Sequence, residues 1–496
     1  MISNITLSSV LARALITGGD FAEIFVEDSL STNISMLNGN VENTISGRTY
    51  GIGIRIFKGL KSVYAYTNNS SLDSLLQTAE KAALALGELK EDISIVLNEK
   101  ISYNNHPIIY VPSSVASGKK IEVMRTGYKA ARDYHEEIKQ VSVNYIDKIQ
   151  NVLIANTEGL LKEDRRVRTR LAISSVASLN GENQTGSDSP GAHMGFEFFE
   201  KIDPAAVGRE ASRIAHTMIH AKNCPAGQMT VAIDNGFGGV IFHEACGHSL
   251  EATAVAKGNS VFSNMIGKQI ASTKVTAIDD ETLKNEWGSL NIDDEGNETT
   301  RNVLIKDGIL QGYMVDKLNG RRMGMEATGS SRRESYKFAP TSRMTNTFID
   351  AGNDDEKEII ASIDNGLYAK KMGGGSVNPV TGEFNFAVSA GYLVRNGVIQ
   401  EPVRGASLIG KGSEILMNIE IVEAYAYKDQ VKTLFQEYTD MLIECDKDFK
   451  EYLNKQNYDD ELENLESKYG KPDGRLYLAF CDNEVAGCIA LRKLDD

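Results

Sequence analysis

Apolar and polar positions alternate with different periods along the chain, and the changes of period mark out its elements. In residues 5–17, Leu7, Val10, Leu11 and Leu15 recur at helical spacing, which predicts a helix with one buried face. Strand-like runs follow at 21–28, 51–59 and 60–68. Within the second, Ile52, Ile54 and Ile56 alternate with small or polar residues, the period-two pattern of a half-buried strand. Residues 70–87 predict a helix capped by Ser or Asp and stopped by glycine. Further helices are expected at 117–136 and at 204–222, the latter opened by Pro204. Between them, 141–159 and 166–178 read as paired strands. Residues 1–224 therefore form a mixed α+β pattern, with helices between antiparallel strand pairs.

From about 225 the pattern changes. Residues 228–235 read as a strand and 236–255 as a glycine-opened helix. Strands then dominate, at 303–315, 343–352 and 384–399. Asp307-Gly308 and Asn396-Gly397 are hairpin turn signals, and Phe384, Phe386 and Val388 alternate onto one face. Residues 225–423 are expected to be a β-rich domain. A second break falls near 424. Residues 424–496 carry about half of the net charge of −15, hold Cys445, Cys481 and Cys488, and contain none of the 7 histidines. They predict a helical stretch over 427–468 and a hairpin around Cys481–Glu484, a small α/β unit of its own. The fold class expected for the whole chain is α+β.

Composition narrows the function. The 496 residues hold 53 Lys+Arg against 68 Asp+Glu, so a role that depends on the nucleic-acid backbone is disfavoured. Five cysteines fit a reducing compartment better than a disulfide scaffold. The N-terminus lacks a signal-peptide pattern, and no run approaches the length of a membrane span. A cytoplasmic protein without a membrane or nucleic-acid partner is expected.

The strongest chemical signal is HEACGH at 243–248. Two imidazoles and an adjacent acid are the kit of a hydrolytic metal site: His243 and His248 as ligands, Glu244 as general base on an attacking water. In the familiar HExxH motif the histidines stand at i and i+4, about 40° apart around a helix. Here they stand at i and i+5, about 140° apart. A regular helix cannot aim both at one metal, so the spacing predicts a distorted HExxxH helix, with a π-type bulge favoured by Gly247. Cys246 lies between them and reads as a small buried hydrophobe rather than a ligand. His216 and His220 are four apart, the right spacing for a second metal site, but no acid of the HExxH type accompanies them, and a plain surface or core pair on a helix is expected instead. The MGGGS run at 372–376 precedes a strand and lacks the helix and Lys-Ser/Thr of a phosphate loop. Arg332 and Arg333, in SSRRES, are candidates for binding a carboxylate or phosphate of a substrate, with a solvated charged loop as the alternative.

The segments DNGFGGVIFHEACGHSLEA (234–252), GSLNIDDEGNETTRNVLIKDGILQGYM (288–314), NGRRMGMEATGSSRRESYKFAPTSRMTNTFI (319–349), GGGSVNPVTGEFNFAVSAGYLV (373–394) and PVRGASLIGKGSEILMNI (402–419) resemble the TldD/PmbA family of metallopeptidases, TldD branch, over about residues 1–422. The resemblance implies an α+β N-terminal domain and a β-rich C-terminal metallopeptidase domain carrying Zn²⁺. It implies proteolysis of unfolded or extended peptides inside a dimer, with a PmbA-type paralogue as the candidate partner. It assigns His243 and His248 as zinc ligands and Glu244 as the base. The family's third ligand is a cysteine in a CGKxGQ-like segment, and no such segment follows residue 419 here. Residues 427–496 instead resemble an N-terminal fragment of a GNAT-type N-acetyltransferase without its acetyl-CoA loop. The chain is thus expected to be a C-terminally truncated peptidase domain joined to that fragment. Zinc peptidase is the leading function, and a catalytically inactive peptide- or paralogue-binding member is the alternative. An acetyltransferase is the weakest reading, because the cofactor loop is missing.

Overall fold

The computed structural model describes residues 2–87, 94–352, 356–378, 381–417, 420–423, 474–481 and 484–492. It divides into two compact units, Met1–Ala221 with Phe242–Gly352, and Lys222–Ile241 with Asn353–Asp496. One break in packing falls at Ala221/Lys222, close to the boundary expected near 225, but the segment from 242 to 352 returns to the first unit. The reason lies in that unit's sheet.

The first unit is built on long strands: β1 (Phe21–Leu37), β2 (Asn40–Lys58), β3 (Lys61–Thr67), β4 (Ile138–Asn156), β5 (Leu160–Leu179) and β6 (Glu182–Asp188). Their order is β3-β2-β1-β4-β5, with β6 also on β5, all antiparallel. The register sets Ile24 opposite Ile54 and Ile34 opposite Tyr145. Side chains alternate across a strand, so even-numbered positions of β1 share one face. On that face, Ile24, Ile52, Ile54 and Ile56 pack under α1 (Asn4–Ala14) and α2 (Leu72–Leu84), through Leu7, Val10, Leu11, Leu75 and Ala79. Ile34, Met36, Val143, Leu171 and Ile173 pack under α3 (Ser117–Arg132) and α4 (Pro204–His220), through Met124, Ala131, Val207, Ala211 and Ala215. The helix starts follow the expected chemistry. Ser3, Ser71 and Asp203 each accept a hydrogen bond from a first-turn N–H, and Pro204 opens α4 where no donor is needed.

The opposite face of the sheet is also covered, which the half-buried pattern did not foresee. Phe25, Val152 and Ile154 pack against Ile292 and Tyr336. Gly51 and Gly53 leave room for this layer: a Cβ at Gly51 would lie 2.2 Å from the Tyr336 ring, and one at Gly53 would lie 2.8 Å from the Tyr336 carbonyl oxygen. The polar residues of this face are paired rather than solvated. Arg55 Nη2 donates to Glu23 Oε2 (2.8 Å) and Glu295 Oε1 (2.5 Å). Arg166 donates to Asp164 Oδ2 (3.1 Å), Asp294 Oδ1 (2.6 Å) and the Ile292 carbonyl (2.9 Å). Two stacked histidines, His106 and His193, fasten the same layer through the Leu290 and Ser289 carbonyls. Burial, reinforced by Arg168, pushes His193 down to about 3, so it serves as a neutral hydrogen-bonding group.

The second unit carries β7 (Thr230–Ile233), β8 (Asn365–Val377), β9 (Glu383–Arg395), β10 (Val398–Arg404) and β11 (Ser407–Lys411), in the order β7-β8-β9-β10 with β11 also on β9. Asn396 and Gly397 both have positive φ, as a two-residue hairpin turn requires. The glycine run 373–375 lies inside β8 at register shifts, where a Cβ at Gly375 would lie 2.1 Å from the Asn385 carbonyl oxygen. It is a bulged strand, in keeping with the reading against a phosphate loop. The expected helix over 427–468 lies outside the described residues. Strands Gly474–Cys481 and Glu484–Arg492 pair antiparallel as the expected hairpin, with Glu420–Glu423 alongside. No helix among the described residues is long and apolar enough to cross a membrane.

Candidate active site

The motif is not one bulged helix. Residues 236–255 fold as a 3₁₀ turn (Gly236–Gly239), the α-helix Val240–Ala245, a second 3₁₀ turn (Gly247–Leu250) and a short helix (Ala252–Val255). The α-helix stops at Cys246, whose φ and ψ of −126° and −45° break the spiral. The π-type bulge expected from the spacing is therefore replaced by a junction between an α-turn and a 3₁₀ turn. Both solve the same problem of bringing an i,i+5 pair together. The His243 and His248 rings stand edge to face with centroids 5.2 Å apart. One ligand atom from each of His243, Glu244 and His248 lies within 4.8 Å of the others.

Packing explains why the break falls there. Gly247 does not need a positive φ; it needs to be small, because a Cβ would sit 2.2 Å from Met344 Sδ. Cys246 and Ala245 are buried, and burial pushes the Cys246 thiol up to about 12, which fits the expected packing role and disfavours a thiolate ligand. The next residues are tied down by Ala252 N–H donating to the Met314 carbonyl (2.8 Å) and Met314 N–H donating to the Leu250 carbonyl (3.1 Å).

Electrostatics favours neutral imidazole at His243. Its pKa is lowered chiefly by burial, then by His248, against Glu244 and Glu251, which raise it. His248 Nδ1 lies 3.0 Å from Glu251 Oε1, and its Nε2 lies 3.4 Å from Glu244 Oε2. Glu251 thus fixes the ring and leaves Nε2 facing the cluster. This carboxylate–histidine arrangement is the usual support of a metal-binding imidazole. Glu251 was missed in the sequence reading; its signal is the His-x-x-Glu spacing from His248 across the 3₁₀ turn. Glu251→Gln is expected to weaken metal binding about 10–100-fold while leaving the fold intact. Chelator competition measures this, and affinity equal to the parent's would show that Glu251 does not support the ligand.

The two arginines part company. Arg332 is exposed, its Nη1 donates to the Met344 carbonyl (3.1 Å), and its charge contributes to lowering the His243 pKa. Arg333 is not available to a substrate. Its side chain is 1% exposed, and its terminal nitrogens donate to Glu23, the Tyr64 hydroxyl and the Phe338 and Asp294 carbonyls. The substrate-binding expectation for Arg333 is corrected accordingly: it belongs to the buried ion-pair layer.

The chain matches three successive family models, described as PmbA/TldA metallopeptidase domain 1 (residues 22–86), central domain (110–219) and C-terminal domain (226–434). It is 38% identical over 411 residues to a protein of Haemophilus influenzae named metalloprotease TldD homolog, covering 81% of this chain and 85% of that one. A Saccharolobus solfataricus protein named zinc metalloprotease TldD homolog is 28% identical, over 64% of this chain and 73% of its own length. The fold also matches the crystal structure of TldE from Thermococcus kodakarensis, with a TM-score of 0.67 at 18% identity, over 81% of this chain and 90% of that one. The three domain models in chain order, the relative at 38% identity and the clustered HEACGH motif lead to one assignment: this chain belongs to the TldD/PmbA family of metallopeptidases.

Proposed function

We propose that the chain is a zinc peptidase for unfolded or extended peptides, with His243 and His248 as ligands and Glu244 as general base. The observation that carries this reading is the convergence of those three side chains within 4.8 Å, with His248 oriented by Glu251. Imidazole and carboxylate groups are donors that zinc accepts, and a His243 held neutral by burial has its lone pair available, so the residues fit the ion. Zinc, when bound, supplies a Lewis acid that polarises the scissile carbonyl and acidifies water. Glu244 takes the proton of the attacking water on a carboxylate oxygen and passes it to the leaving amide nitrogen. Arg332, exposed and acting on His243, is the candidate for holding a substrate carbonyl or carboxylate.

Catalytic zinc takes three protein ligands as a rule, whereas the cluster offers two histidines and, among the described residues, no cysteine. Cys445 lies outside the described residues, and Cys481 and Cys488 stand on the strands of the hairpin. We therefore propose that this chain holds zinc weakly and that its activity is impaired. Zinc titration of the parent and of His243→Ala tests the reading. The variant should bind at least about tenfold more weakly at this site. Identical uptake by the two would refute His243 as a ligand. The same two-histidine set favours a second reading, a member that binds peptides or its paralogue without cutting them, and a zinc-free chain that still captures peptide is its signature. A dimer with a PmbA-type paralogue, a cytoplasmic location and a GNAT-like fragment over 424–496 complete the proposal.

A further inference from the structure

Three of the chain's 7 histidines converge on one carboxylate far from the HEACGH motif in sequence. His216 Nδ1 lies 2.9 Å from Glu137 Oε2, His220 Nε2 lies 2.9 Å from the same oxygen and 3.1 Å from Oε1, and His135 Nδ1 lies 3.5 Å from Oε2. One ligand atom each of His135, Glu137 and His216 lies within 4.8 Å of the others. His216 and His220 are one turn apart on α4. His135 and Glu137 sit in the turn entering β4, which is fixed by Ile138 N–H donating to the His135 carbonyl (3.1 Å) and Ser178 N–H donating to the Glu137 carbonyl (2.9 Å). The pair expected to be a plain helix feature has thus acquired, from 79 residues away, the acid it lacked.

Hydrogen bonding alone serves this arrangement poorly. A carboxylate oxygen has two lone-pair directions, yet three imidazole nitrogens crowd Oε2. His135 Nδ1 accepts the Glu137 N–H at 3.3 Å, so it donates no hydrogen bond to Oε2, which lies 3.5 Å away. A cation among these atoms would take the His135 Nδ1 lone pair in place of that long hydrogen bond and would balance the Glu137 charge. The side chains are open to solvent on one side, from 14% exposed at Glu137 to 47% at His220, which leaves an ion a way in. Three imidazoles and one carboxylate are a donor set for zinc and its borderline neighbours, not for calcium or magnesium.

We infer that His135, Glu137, His216 and His220 form a second divalent-metal site, of the zinc class, clamping the end of α4 to the start of β4. Metal–ligand distances of about 2.0–2.1 Å set tetrahedral donor atoms about 3.3 Å apart, so the separations of 2.9–3.5 Å from Glu137 Oε2 call for only small adjustments of these partly exposed side chains. The test uses the full chain carrying His243→Ala and His248→Ala, which removes the motif's histidines. Titrated with Zn²⁺ and with Co²⁺, it should still take up one metal per chain and show visible cobalt absorption. Adding His216→Asn and His220→Asn should abolish that uptake. His220→Asn alone, at the most exposed ligand, should weaken it at least about tenfold with an unchanged circular dichroism spectrum. A motif-less chain that binds no metal, or uptake indifferent to His220→Asn, overturns the site without touching the proposal for His243 and His248.

Discussion

Glu244→Gln is expected to lower peptide cleavage by about 10²–10⁴-fold while zinc binding at His243 and His248 stays that of the parent. The two halves of this expectation rest on separate atoms. His248 is held by Glu251 through Nδ1 at 3.0 Å, and burial is the main cause that lowers the His243 pKa, so neither proposed ligand depends on the Glu244 charge for its orientation. Glu244 Oε2 stands 3.4 Å from His248 Nε2, on the side of the ring that Glu251 leaves open. An amide of the same shape keeps that packing but cannot take a proton at neutral pH. Cleavage is followed with an unstructured peptide at saturating zinc, and bound metal by chelator competition. Loss of zinc together with activity would make Glu244 a ligand. Retention of activity would remove it from the proton transfer.

What could be read in the sequence follows from how local each cause is. Helices α1, α2 and α4 were legible because capping groups and apolar spacing lie within a few residues of each other. The turns at Asp307-Gly308 and Asn396-Gly397 were legible for the same reason, and all four residues have positive φ. The lengths of the strands were not. β2 runs on from a wholly exposed stretch, 40–49, into a buried one, so no single alternation spans it. The shape of the motif was only half legible. The i,i+5 spacing demanded a departure from a regular helix, but the form of the break depends on Met344, almost a hundred residues on, pressing against Gly247. Glu137 was invisible beside His216 because chain folding alone brings it there. Arg332 and Arg333 could not be told apart by composition, since register decides which of two neighbours faces the sheet.

That distinction carries the largest expected effect on stability. Arg333→Met should destabilise the first unit by about 3–5 kcal/mol, whereas Arg332→Met should stay within about 0.5 kcal/mol. Arg333 bonds Glu23, which Arg55 also engages, and Arg55 in turn bonds Glu295. The side chains of Arg55, Glu23, Glu295 and Arg333 are each 1% exposed. Removing one cation leaves Glu23 and Glu295 to share Arg55 without water to make up the difference. Desolvation of the unpaired charge dominates the loss, because the methionine refills most of the volume. The same logic predicts partial relief. Glu23→Gln in the Arg333→Met background removes the orphaned charge, so the double variant should be less unstable than the sum of its parts. Urea unfolding followed by intrinsic fluorescence reads the parent, the three single variants and the double variant. An Arg333→Met chain as stable as the parent, or strictly additive losses, would show that the layer between the sheet and residues 292–336 is held by its apolar contacts, with the ion pairs merely accommodated.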